Sequence, residues 1–160
     1  MNHYLVHDTP IGELLLEANL DHLIKISFNQ KNLKRVKTCL LKKNLILEKT
    51  VEQLDEYFFN NRKSFTISYL LNTTCFFKKV LEEVSLIKFG TVKSYKQIAK
   101  ILKNKNAYRA VANANARNPL PIIIPCHRVI RSSGDIGGYR GGIITKKYLL
   151  SLENKTSNFF

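Results

Sequence analysis

The sequence predicts an α+β fold of two lobes, a strand-led N-terminal lobe over residues 1–70 and a mostly helical lobe over residues 71–160. Three observations predict it. Short runs of strand character separated by turn residues open the chain, apolar residues at three-and-four spacing fill most of the remaining sequence, and the charge balance changes near residue 70. Of the 160 residues, 44% are hydrophobic and 24% charged, proportions of a globular chain able to bury a core.

HYLVH, GELLLEA and HLIKISF read as a three-stranded antiparallel meander. Asp8-Thr9-Pro10 with Gly12 marks the first turn, and Asn19 to Asp21 the second. A Lys-rich stretch from Asn32 to about Leu41 has helical character. A stronger helix is expected over Ile46 to Phe59, where Val51, Leu54, Tyr57 and Phe58 recur on one face, and Asn60-Asn61 ends it. FTISYLL follows as an extended segment.

In the second lobe, Thr73 or Thr74 caps a helix that carries Phe76, Phe77, Val80, Leu81 and Val84 and ends near Gly90. SYKQIAKIL has Ser94 as cap and Gln97 three residues on, the pattern of a capping box. The polar turn KNKN leads into YRAVANANAR, a small-residue helix ended by Asn118-Pro119. Two short helices across a brief turn predict a helix-turn-helix. PIIIPCHRVI and the Gly/Ser-rich loop RSSGDIGGYRGG then lead to a last helix over about Thr145 to Glu153, with Tyr148, Leu149 and Leu152 facing inward. The tail NKTSNFF is expected to be mobile.

Charge narrows the function classes. Residues 1–70 carry 10 Lys+Arg against 8 Asp+Glu, a net of +2, whereas residues 71–160 carry 16 against 4, a net of +12. A basic half joined to a near-neutral half predicts a polyanion partner on one side, nucleic acid before an anionic membrane surface. The helix YRAVANANAR fits a nucleic acid. Ala110, Ala112, Ala114 and Ala116 permit close approach to a large partner, and Arg109 and Arg117 flank them with no acid between. No apolar run reaches membrane-spanning length, and MNHYLVHDTP lacks the basic flank of a signal peptide. Three widely spaced cysteines (Cys39, Cys75 and Cys126) predict free thiols, a cytoplasmic setting and no disulfide framework. With no CxxC and no tight Cys/His cluster, neither a metal nor a cofactor is expected; His3, His7 and His22 read as surface or turn histidines. A monomer is expected.

The segment PIIIPCHRVIR carries the chemistry. Its isoleucines indicate burial, and an isolated cysteine in such a setting is usually a small core hydrophobe. A nucleophilic cysteine needs its thiolate, and therefore a base, for which His127 is the nearest candidate. In a strand, neighbouring side chains point to opposite faces. A Cys126-to-His127 proton path therefore needs a tight turn after Pro125 or a bridging water. Glu82, Glu83, Asp135 and Glu153 are the acids able to orient the imidazole, and spacing does not choose among them.

PCHRVI, preceded by NPLPIIIP and followed by SSGDIGGYRGG, resembles the active-site signature of the O6-alkylguanine-DNA alkyltransferases, or methylated-DNA–protein-cysteine methyltransferases. DTPIGELLLEA, QLDEYFFNNR, KFGTVKSYKQIAK and YRAVANANARNP extend the resemblance over nearly the whole chain. It implies a ribonuclease-H-like N-terminal lobe and a winged-helix-like C-terminal lobe containing the helix-turn-helix. It implies DNA repair by direct reversal, in which a flipped O6-alkylguanine in double-stranded DNA gives its alkyl group to the protein's own cysteine, once per molecule; whether O4-alkylthymine is also accepted stays open. By resemblance, Cys126 is the nucleophile, His127 relays its proton through a water, Glu153 orients His127, and Asn118 braces the turn beneath the cysteine. Tyr95 assists the departing guanine, Tyr139 walls the pocket, and the backbone at Val129 and Arg140 reads the base edge. Arg109 fills the space left by the flipped nucleotide, Arg117 holds phosphate, and Ala110, Ala112 and Ala114 approach the groove. Leu81 stands where the family often has tryptophan, and Cys75 where phenylalanine is common. A damage sensor without transfer and a cysteine hydrolase are the alternatives; the cysteine argues against the first, and the basic lobe against the second.

Overall fold

The computed structural model describes residues 2–28 and 44–154. The helix expected over Asn32 to Leu41, Cys39 and the tail beyond Asn154 lie outside the described residues. The chain divides into two compact units, Met1–Leu71 and Asn72–Phe160.

In the first unit, β1 (His3–Thr9), β2 (Gly12–Ala18) and β3 (Leu23–Ser27) form an antiparallel sheet in that order. The β1–β2 hairpin closes at Thr9↔Gly12, leaving Pro10-Ile11 as a two-residue tip. Gly12 adopts φ +100°, which an L side chain resists. Leu14, Leu16 and Ala18 alternate inward along β2 and meet Leu23 and Ile26 of β3. The second turn is held by Asn19, whose Oδ1 accepts from the backbone N–H groups of Asp21 and His22.

Helix α1 (Leu45–Phe59) starts where the Asn44 side chain accepts from Leu47 N–H, and it buries Leu54, Tyr57 and Phe58. Asn61, at φ +59°, follows its end. The extended segment FTISYLL pairs with β3 only around Tyr69, through an isolated bridge to Leu23. Upstream it is pinned by a side chain, since Gln53 both donates to Thr66 Oγ1 and accepts from Thr66 N–H.

The second unit begins with α2 (Cys75–Ser85), capped by Thr74. It ends at Leu86, short of the expected Gly90, and turns through backbone bonds from Leu86 and Ile87 to Glu83 and Val84. Next come β4 (Lys93–Ser94), α3 (Tyr95–Ile101) and α4 (Tyr108–Ala116), the last two joined across a turn that includes a 3₁₀ segment at Lys105–Ala107. The capping box is present in full: Ser94 accepts from Gln97 N–H at 3.1 Å, and Gln97 accepts from Ser94 N–H at 2.7 Å. No side chain caps α4.

Residues 119–125 form no strand. A 3₁₀ turn at Cys126–Arg128 leads to β5 (Val129–Ile130), which pairs in parallel with β4. The last helix, α5 (Ile143–Asn154), starts two residues before the expected Thr145. Its inward face differs from expectation as well. Tyr148 is 39% exposed and Leu152 only half-buried, whereas Lys146, Leu149, Leu150 and Glu153 are buried. Positions 146, 149 or 150, and 153 share one helical face, so two charged residues occupy a stripe that apolar counting alone does not select.

Candidate active site

The nucleophile candidate sits on a turn built from its own flanks. Asn118 is buried; its Oδ1 accepts from Leu120 N–H at 3.0 Å, and its Nδ2 donates to the Ile124 carbonyl at 2.8 Å. One amide thus ties both ends of the Leu120–Ile124 loop. Within that loop Ile122 takes φ +74°, a conformation costly for a β-branched residue, and the chain doubles back so that Ile124 N–H donates to the Leu120 carbonyl at 2.8 Å. Cys126 follows on the 3₁₀ turn, its carbonyl accepting from Asn115 Nδ2 at 3.1 Å.

The 3₁₀ turn sets the directions of the adjacent side chains. Successive side chains there are about 120° apart rather than on opposite faces, so Cys126, His127 and Arg128 point in three directions. Cys126 lines a cavity of about 680 Å³. His127 and Arg128 point instead toward Glu153 on the last turn of α5.

Glu153 is the acid that spacing left unchosen. It is 1% exposed, and its Oε1 accepts from His127 Nε2 at 2.8 Å. Arg128 grips the same carboxylate through Nε to Oε2 at 2.8 Å and Nη2 to Oε1 at 2.9 Å, while its Nη1 donates to the Ile87 carbonyl at 2.6 Å. Gly90 N–H adds a further bond to Oε2 at 3.3 Å. Burial by itself would raise the Glu153 pKa; bonds from His127 and Arg128 outweigh it and bring it down to about 2. A carboxylate can only accept, so Nε2 of His127 carries the proton and Nδ1 keeps its lone pair. Among the described residues Nδ1 has no hydrogen-bond partner. Burial also lowers the His127 pKa, against the pull of Glu153, so the ring is neutral near pH 7 and able to take a proton.

The remaining titratable groups fit around this frame. Burial raises the Cys126 pKa, so the resting group is a thiol; Asn118, Tyr139 and the Lys146 charge pull in the opposite direction. Lys146, fully buried, donates to the Val129 carbonyl at 2.7 Å and to the Gly138 carbonyl at 3.4 Å, joining β5 to the glycine-rich loop. Burial lowers its pKa to about 8, leaving it mostly protonated near pH 7. Burial raises Tyr95, so its hydroxyl keeps the proton that a donor needs. The Tyr139 ring stands edge-on to His127, with centroids 6.5 Å apart.

Of the residues singled out by sequence, Tyr95, Asn118, Cys126, Tyr139, Arg140, Arg117 and Ala112 all line the cavity. Arg109 lies in an adjoining groove that also reaches Tyr95 and Ala112. Ala110 is exposed on α4. Ala114 does not fit its expected role: it is fully buried, because Val111, Ala114 and Asn115 form the core-facing stripe of α4. Val129 has a buried side chain and does not line the cavity, and its carbonyl is engaged by Lys146. Arg128, Lys146 and Asn115 went unassigned in the sequence. The helical spacing from Lys146 to Glu153, and of Asn115 to Val111, was the available signal for two of them. Among the described residues no group of three or more His, Cys, Asp or Glu side chains gathers where a metal ion could be held. No helix of the described residues is long and apolar enough to cross a membrane.

The chain is similar to known proteins along nearly its whole length. Residues 2–70 match the model of the 6-O-methylguanine DNA methyltransferase ribonuclease-like domain, and residues 75–155 that of the DNA binding domain of the same family. A methylated-DNA–protein-cysteine methyltransferase of Methanosarcina barkeri is 37% identical over 153 residues, covering 94% of this chain and 96% of that protein. The constitutive enzyme of that name from Bacillus subtilis is 35% identical over 158 residues, covering 96% of each. Among solved structures, the O6-methylguanine methyltransferase of Mycobacterium tuberculosis superimposes with a TM-score of 0.87 at 34% identity, covering 100% of this chain and 97% of that one. A crystal structure of Mycobacterium tuberculosis OGT in complex with DNA gives 0.84 at 34% identity, covering 95% and 93%. Matched in both halves and along nearly its whole length, the chain belongs to the 6-O-methylguanine DNA methyltransferase family.

Proposed function

We propose that this protein repairs O6-alkylguanine in duplex DNA by direct reversal, moving the alkyl group irreversibly onto Cys126 and acting once per molecule. One observation carries the reading: Arg128, Glu153 and His127 form a buried hydrogen-bonded run beside a cysteine that lines an arginine-rimmed cavity.

The target atom is out of reach inside a duplex, so the nucleotide turns out into the cavity. His127 Nδ1 takes the Cys126 proton through a water, while Glu153 holds the opposite nitrogen protonated. Sγ then attacks the alkyl carbon. The carbon–O6 bond breaks, its electron pair leaves with guanine, and Tyr95 donates to the departing base. The product is a thioether, a poor leaving group, which ends the reaction at one turnover. The step balances with no cofactor. Asn118 keeps the cysteine turn in shape, Tyr139 walls the pocket, and the backbone at Arg140 reads the base edge.

On the DNA side, Ala110 and Ala112 let α4 lie close to the minor groove, Arg109 occupies the space vacated by the flipped nucleotide, and Arg117 holds phosphate. Binding of this kind tolerates any sequence, as repair requires. The protein acts as a monomer in the cytoplasm, where free thiols such as Cys75 and Cys126 stay reduced.

The test pairs gel retardation with loss of radiolabelled methyl from a duplex bearing one O6-methylguanine. Cys126→Ala should bind as the parent does and transfer nothing. Transfer by that variant, or ester hydrolysis by the parent without DNA, would overturn the reading.

A further inference from the structure

We propose that Tyr108 is a positioning residue for Arg109, holding its guanidinium over the phenol ring so that it is already placed to enter the DNA stack. This rests on the role proposed above for Arg109.

Tyr108 opens α4 and is half-buried, so its ring is anchored, whereas Arg109 beside it is exposed. The Arg109 Cζ lies over that ring, 5.8 Å from its centroid. Sequence adjacency does not produce this contact, because neighbouring residues on a helix project about 100° apart. The long arginine side chain spans that angle to bring its Cζ over the ring. Lys96 of α3 approaches the same ring, its Nζ also 5.8 Å from the centroid, so one aromatic face system serves two cations. Nothing competes for Arg109: the first turn of α4 holds no acid, and among the described residues no carboxylate pairs with it. The ring also walls the groove of about 340 Å³ that runs past Arg109 and Arg131 to Tyr95. Stacking therefore aims the guanidinium along that groove, next to the tyrosine that meets the flipped base. A long, flexible side chain that must enter a base stack loses rotamer freedom as it does so; a stacked one has lost part of it beforehand.

The experiment measures single-turnover transfer on two substrates, a duplex with one O6-methylguanine and the free base O6-methylguanine, which needs no flipping. Tyr108→Leu keeps apolar bulk and removes the ring. It should slow the duplex reaction about two- to five-fold, the size of a cation–π contact at an exposed site, and leave the free-base rate unchanged. Tyr108→Phe should restore the duplex rate. In an Arg109→Ala background, Tyr108→Leu should add nothing. Equal losses on both substrates would assign Tyr108 a merely structural role and overturn the proposal. Additive losses in the double variant, or an unchanged duplex rate for Tyr108→Leu beside a slow Arg109→Ala, would overturn it while sparing the Arg109 reading. A normal duplex rate for Arg109→Ala would overturn both.

Discussion

Arg128 and His127 share one acceptor: the buried Glu153 carboxylate takes two bonds from the guanidinium, at 2.8 and 2.9 Å, and one from imidazole Nε2 at 2.8 Å. The arginine thus fixes the charge and orientation of the group that fixes the histidine tautomer. Glu153 also lies in the last turn of α5, where the helix dipole disfavours an acid, so the guanidinium compensates for its place as well as its burial.

Removing the guanidinium should therefore damage both stability and rate. Arg128→Met strips a buried carboxylate of its guanidinium partner, a loss of about 3–5 kcal/mol of the kind measured for broken buried pairs. Arg128→Lys keeps the charge without the two-pronged grip and should fall between parent and Met variant. Denaturant titration together with single-turnover transfer checks both; a Met variant as stable as the parent would contradict the assigned role.

The pH dependence has a defined sign. Folded His127 has a lowered pKa, so below about pH 6.5 the unfolded chain takes up a proton that the folded ring resists, and stability falls with pH. Glu153 acts in the same sense at lower pH. Its stabilisation is complete above the ordinary carboxylate value of about 4.3 and drains away as pH falls toward its folded value of about 2. The transfer rate, which needs a neutral imidazole, should stay level through pH 6.5 and fall only below it. Denaturant midpoints and single-turnover rates between pH 8 and 5 test this, and a rate that halves at pH 6.5 would show that burial does not hold the ring neutral.

Asn118 spans its loop with one donor and one acceptor, so its variants separate the two bonds. Asn118→Ala leaves the buried Leu120 N–H without its partner, at about 1–3 kcal/mol, and removes one of two donors from the Ile124 carbonyl, which keeps Cys126 N–H; it should slow transfer. Asn118→Asp can still accept from Leu120 but cannot donate to Ile124 when ionised. It should resemble the Ala variant in rate, and near-parental transfer by Asp would mean that the Ile124 bond does not set the cysteine's place.

Lys146 makes a different forecast. Its charge pulls the Cys126 pKa down against burial, and its ammonium joins Val129 to Gly138. Lys146→Met should move the pH profile of Cys126 alkylation by iodoacetamide upward and slow transfer, with the melting temperature lowered as two carbonyls lose their donor. An unchanged alkylation profile would confine Lys146 to joining the loop.

Much of this arrangement was legible in the sequence because local signals and tertiary packing agree. The β1–β2 hairpin, the capping box at Ser94 and Gln97, and the α1 boundary at Asn60-Asn61 are decided within a few residues. The Arg128–Glu153–His127 run was less legible, since Arg128 and Glu153 lie 25 residues apart and meet only after α5 packs beneath the 3₁₀ turn. The isoleucines signalled burial but not shape: Asn118 and the left-handed Ile122 bend the run into a loop, and a 3₁₀ turn follows Pro125, one of the two ways a Cys126–His127 path requires. Ala114 shows the reverse error: counting alanines marked a contact face, but helical spacing places that one in the core beside Val111.

The most direct test incubates the reduced protein with one equivalent of duplex DNA carrying a single O6-methylguanine and takes intact and peptide masses. Gain of one methyl group on the peptide containing Cys126, with guanine restored in the DNA and no further turnover on added substrate, is the predicted result. A folded protein that binds the lesion yet keeps its original mass would contradict the account and leave a damage sensor in its place.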